Sequence, residues 1–180
     1  MTIKTLTEVN TLLANNTSGA ISPTDMRDVI DSQGVHGGMS VQDAAPIDMA
    51  IAVAGTPELA TYWDVDGPSY GVVPDSTTNN DLEIPAGGDG TYAVHFDLSF
   101  GTSINPSTIF QARLRINGAE NGDGCHRSIS GTTIGTTGFD ADVDGLVAGD
   151  LLTIWVEMDA IGAGVNIEVH DSHFKIRRIR

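Results

Sequence analysis

The sequence is poor in cysteine, in basic residues and in long apolar runs, and each shortage argues against a class of protein. Its 180 residues include one cysteine, Cys125, so no disulfide can form within the chain. Only 9 Lys and Arg stand against 24 Asp and Glu, a net charge of −15. Phosphate contacts need clustered cations, so nucleic acid is not an expected partner. No apolar run approaches the ~20 residues that span a bilayer, and no membrane insertion is expected. The opening MTIKTLTEVN lacks the apolar core of a secretory signal.

Catalytic signatures are missing as well. There is no G-x-S-x-G, no H-E-x-x-H, no phosphate-cradling glycine loop and no paired-carboxylate signal. No catalytic residue, cofactor or metal is therefore expected, and the chain reads as a non-enzyme. The segment DADVDG (140–145) begins like a calcium loop, but the twelfth position, where an EF-hand needs a bidentate Glu, is Leu151. On a strand, Asp140, Asp142 and Asp144 would share one solvated face. His170 and His173 have an H-x-x-H spacing with no further ligand in view.

Forty per cent of residues are hydrophobic, enough for one domain with a short appendage. The appendage comes first, over residues 1–34. Thr5 and Glu8 have capping-box spacing, and Leu6, Val9 and Leu13 follow at helical period. A second helix starts at Ser22 as N-cap with Pro23 behind it; Met26, Val29 and Ile30 form its stripe, with Arg27 between them. Helices shorter than ~12–15 residues are marginal alone. This module must dock, on the main domain or on another protein.

Residues 35–48 are Gly-rich and weakly patterned, and read as a linker. From 49 to 180 the period becomes two. Tyr92, Val94, Phe96, Leu98 and Phe100 alternate with polar residues, as do Phe110, Ala112, Leu114 and Ile116. Leu152, Ile154, Val156 and Met158 do the same, followed by Val165, Ile167 and Val169. No helical stretch interrupts the series, so the fold class is mainly β, an antiparallel sandwich or barrel. Ile109, Leu151 and Trp155 fall on the wet faces of their strands and suggest a subunit interface, unless a loop or second sheet covers them. Tyr62, Trp63 and Tyr70 offer either a ligand-binding loop cluster or core packing. Between Arg27 and Arg113 there is no Lys or Arg, whereas Lys175, Arg177, Arg178 and Arg180 crowd the last strand. That tail either meets carboxylates, in its own fold or on a neighbour, or is a solvated edge strand.

Gly90–Tyr92, Asn117–Gly118 and the L-x-x-G-D of Leu146–Asp150, in this order, resemble the trimeric jelly-roll heads of the tumour-necrosis-factor-like and complement-like families. The resemblance implies a jelly-roll sandwich and a homotrimer. Asn16, Gly19, Ile21, Pro23, Arg27, Ile30, Asp31 and Ser32 resemble the N-terminal segment of bacteriophage fibre and head-appendage proteins. That likeness implies a virion structural protein, assembled in the host cytoplasm and anchored by its front to other virion proteins of capsid or tail. Without an extended shaft, a compact capsid decoration is implied. The alternative is a tail fibre whose head recognises a host-surface glycan or protein receptor.

Overall fold

Alternation of apolar and polar residues places one face of each long strand indoors, and the computed structural model follows it closely. It describes Thr11 and residues 34–42, 45–102, 107–130, 134–159 and 166–179. The four alternating segments are β7 (Gly90–Thr102), β8 (Ser107–Ile116), β11 (Leu151–Met158) and β12 (Asn166–Arg178). Their expected inward residues, from Tyr92 to Phe100, from Phe110 to Leu114, from Leu152 to Met158, and Ile167 with Val169, are buried. Ile116 is partly buried against the same core, and Val165 lies outside the described residues.

Eight further strands complete the sandwich: β1 (His36–Val41), β2 (Ile47–Ala50), β3 (Glu58–Leu59), β4 (Val65–Asp66), β5 (Val73–Asp75), β6 (Asp81–Glu83), β9 (Ala119–Ser130) and β10 (Gly135–Leu146). Sheet A runs β10-β7-β12-β1-β4 with β2 also on β12, and sheet B runs β5-β6-β11-β8-β9 with β3 also on β11. Every pairing is antiparallel, as expected from the missing crossover helices. From β7 onward the chain passes from sheet A to sheet B between β7 and β8, back between β9 and β10, to sheet B again between β10 and β11, and back between β11 and β12. An aromatic group ties the middle together: Trp63 lies 6.1 Å from Phe174 and 6.5 Å from Phe96, whose ring is 5.5 Å from Phe139.

Two turns show why particular residues are needed. Asn117 and Gly118, at φ 51° and 79°, make the tight connection of the β8–β9 hairpin, where both central residues need positive φ. Asn117 also donates to Asp150 at 2.8 Å and accepts from the Leu151 N–H at 3.0 Å. The Asn-Gly and Gly-Asp motifs, far apart in sequence, are therefore one hydrogen-bonded corner.

The Gly-rich stretch 35–48 is not a linker. His36–Val41 forms β1, paired over its length with β12 and also with β4. Its glycines serve close approach: a side chain at Gly38 would come within 2.7 Å of the Phe174 carbonyl oxygen. Nor is the basic tail an edge strand, because β12 lies between β7 and β1. The anchoring residues Leu6, Val9, Leu13, Ser22, Pro23, Met26, Arg27, Val29 and Ile30 lie outside the described residues.

The new boundary has a direct consequence. A chain starting at Val35 keeps every described strand, so it should melt cooperatively. A chain starting at Gln42 loses the buried side chains of Val35, Met39 and Val41. At about 2–5 kcal/mol for each large core side chain removed, that loss is comparable with the whole stability of a domain. Circular dichroism melts should show no cooperative transition for the shorter chain; a normal melt would mean that β1 is dispensable.

Candidate functional site

On the outer face of sheet A, small residues hollow out a groove. Gly38 of β1 and Ala93 of β7 form its floor, and the loop at Gly67 and Pro68 closes one side. The Gly67 N–H donates to the Gly38 carbonyl at 2.8 Å. The groove measures about 890 Å³. Strand register sets its walls. Gly38 stands opposite Lys175, which stands opposite His95, which stands opposite Asp140. One row further on, His36 faces Arg177, Arg177 faces Ala93, and Ala93 faces Asp142. Acids thus line the β10 side, and cations line the β12–β1 side.

Between them runs a chain of histidines and carboxylates. His95 Nδ1 lies 2.7 Å from Asp140 and its Nε2 lies 3.0 Å from Asp97. The second oxygen of Asp97 lies 3.1 Å from His173 Nδ1. A carboxylate only accepts, so both contacts are hydrogen bonds together only when both nitrogens of His95 carry a proton, and the pair of carboxylates favours the imidazolium form. The hydrogen bond to Asp140, and next the one to Asp97, raise the His95 pKa above its ordinary value against partial desolvation. The side chains of Lys175 and Arg177 are exposed and make no ion pair or hydrogen bond among the described residues.

No family model matches the sequence, and no curated protein does either. Solved structures do match in shape. An Eiger TNF from S. frugiperda aligns at a TM-score of 0.58 and 13% identity, over 82% of this chain and 94% of that one. The globular domain of zebrafish complement 1qA protein aligns at 0.53 and 13% identity, over 81% and 98%. The fold is a tumour-necrosis-factor-like jelly roll.

The jelly roll scatters several residues singled out from sequence. Tyr62 and Trp63 are not a ligand loop: they are 2% and 5% exposed, with rings 4.7 Å apart in the core. Tyr70 does stay near the surface, where its backbone bridges His36 beside the groove. Trp155 points outward on sheet B, but the Arg115 guanidinium covers it, 4.2 Å from the ring centroid. Leu151 and Ile109 are exposed at opposite ends of that sheet, each about four residues, or ~13 Å, from the Trp155 row. These three do not make one patch. Asp140, Asp142 and Asp144 do share the outer face of β10, but Asp140 is held by His95 and Asp144 accepts from the Thr91 hydroxyl at 2.7 Å. Among the described residues no group of three or more His, Cys, Asp or Glu is arranged to hold a metal.

The two outer faces of the jelly roll also differ in how their charges are used. On sheet B, Gln111 donates to Asp159, Arg113 donates to Gln111, and Glu120 takes both Arg113 and Arg115. That network closes on itself. On sheet A, Ser40 stands opposite His173, which gives the strand order Asp97, His173, Ser40. Ser40 is buried and accepts from the Gln42 amide, so the trio is not an assembled nucleophile.

Sequence reading missed His95, His173 and Asp97 as a group. The signal was present in part, since His95 and Asp97 share one face of an alternating strand, as do His173, Lys175 and Arg177. Because the His95 pKa is raised, its contribution to stability is complete below the ordinary value of ~6.5 and fades as pH climbs through the raised value. NMR titration should place the His95 midpoint above that of an ordinary histidine. Asp140→Asn should bring it down; an unchanged midpoint would contradict the hydrogen-bonded geometry.

Proposed function

We propose that this chain is a non-enzymatic structural appendage of a tailed-phage virion. Three copies of its jelly-roll head associate through the outer faces of sheet A, and residues 1–34 anchor them to capsid or tail. The observation that carries the reading is the divided charge of sheet A. Asp142 on one side and Lys175 and Arg177 on the other make no ion pair among the described residues. An acidic edge and a basic edge on one face fit a head-to-tail contact, in which each copy offers its cations to the next copy's acids. Repeated by rotation, such a contact closes a ring. The self-satisfied network of sheet B and the cover over Trp155 speak against the interface at Ile109, Leu151 and Trp155 that outward position alone suggests.

The anchoring part of the proposal rests on the front segment's resemblance to phage appendage proteins, and the fold is compatible with it. Residue 35 enters β1 beside the end of β12, where the Arg178 N–H donates to the Val35 carbonyl at 2.9 Å. The described chain therefore starts at one end of sheet A, next to the end of β12. A receptor-binding head is the second reading, and burial of Tyr62 and Trp63 leaves only Tyr70 of the aromatic cluster that favoured it.

One experiment separates these parts. Sedimentation of the full chain should give a trimer, and Arg177→Glu should weaken it at least tenfold while Trp155→Ala leaves it intact. Deleting residues 1–34 should leave a folded head that no longer joins particles. A monomer at tens of micromolar, or dissociation by Trp155→Ala alone, would overturn the sheet A contact. Truncated heads still bound to particles would overturn the anchor.

A further inference from the structure

The histidines are not spread over the molecule. Of the 5 in the sequence, His36, His95, His170 and His173 stand on the outer face of sheet A. His170 lies beside Gly101, where a side chain would meet its Nε2 at 3.7 Å. The remaining one, His126, is on β9 of sheet B.

We infer that association through sheet A takes up protons, so that the assembled head is favoured at mildly acidic pH and loosens as pH rises. This rests on the proposed reading of sheet A as the contact between copies. The groups that face these histidines come from every strand around them. From β10 there are Asp140, Asp142 and Asp144; from β7, Asp97; from β12, Glu168, Asp171, Lys175 and Arg177; and from β2, Asp48, which stands opposite Glu168. With the histidines neutral, the carboxylates outnumber the two fixed cations, and copies of a chain of net charge −15 bring like-charged faces together. Each proton taken up offsets one of those charges. A proton on His36 also adds to the cationic side, since His36 stands directly opposite Arg177. A proton on His95 neutralises the Asp140–Asp97 pair and holds β10 against β7.

Association that takes up protons weakens with rising pH by up to about tenfold per pH unit for each proton. His is the side chain whose ordinary charge change falls between about pH 5 and 8, and the hydrogen bonds to Asp140 and Asp97 move that of His95 upward. The test is sedimentation velocity of the full chain at about pH 6, 7.5 and 9 and constant ionic strength, with a thermal melt at each pH to verify folding. Wild type should dissociate at concentrations at least tenfold higher at the top of the range than at the bottom. His95→Gln and His36→Gln, which keep hydrogen-bonding or polar groups without a titratable proton, should each flatten that dependence. If His95→Gln fails to fold, Asp140→Asn takes its place. A trimer indifferent to pH leaves the sheet A reading standing and overturns this inference. A trimer that tightens with pH also overturns it, because the partner's cations would then be competing with His95 for Asp140. No association at any pH overturns both.

Discussion

The pairing of β12 between β7 and β1 is the constraint on which the rest of the jelly roll depends. It joins the last strand of the chain to the first described one and to the middle, so sheet A cannot exist until the whole domain has been made. Across this seam Phe174 stands opposite Phe96 on one side and opposite Met39 on the other. Trp63 packs on both rings, and Tyr62 packs on Trp63. Burial of these side chains is what makes a sheet of such distant partners favourable, since long-range pairing must first overcome loop-closure entropy. Everything on the opposite face of β12 is fixed as a by-product. If Phe174 and Ile176 point in, then His173, Lys175 and Arg177 must point out, in the register that Phe96 and Met39 impose.

How much of this was legible depends on where the information resides. The strands β7, β8, β11 and β12 announce themselves because each packs one face on the core, and a period of two follows from that alone. The first strand does not. HGGMSV carries too few side chains to show a period, because its glycines are needed where Phe174 and the Gly67 loop come close. The sequence sign of a linker and the sequence sign of tight strand packing are here the same residue. Trp155 illustrates a second limit. Its outward position was readable from alternation, whereas the guanidinium lying over it comes from β8, one strand away, and depends on register.

The same limit separates the parts of the candidate site. That His95 shares a face with Asp97, and His173 with Lys175 and Arg177, follows from spacing within single strands. That Asp140 meets His95, and that Asp97 serves two histidines, requires the β10–β7–β12 register, which no local pattern states. Tyr62 and Trp63 were open to two readings from sequence, a loop cluster or core packing, and burial of both side chains decides for the core.

The chemistry of sheet A also bears on how strong a contact there can be. Its outer face is built from small, charged and hydrogen-bonding residues, not from aliphatic ones, and exposed ion pairs contribute only about 0–1 kcal/mol each. Charge complementarity of this kind selects orientation and partner more than it supplies affinity. A contact between free heads would then be modest. Copies tethered side by side through residues 1–34, as proposed, meet at high effective concentration, and a modest contact is sufficient under that condition. The division of labour follows from the physics: the front supplies proximity, and the charged face of the jelly roll decides how the copies turn toward one another.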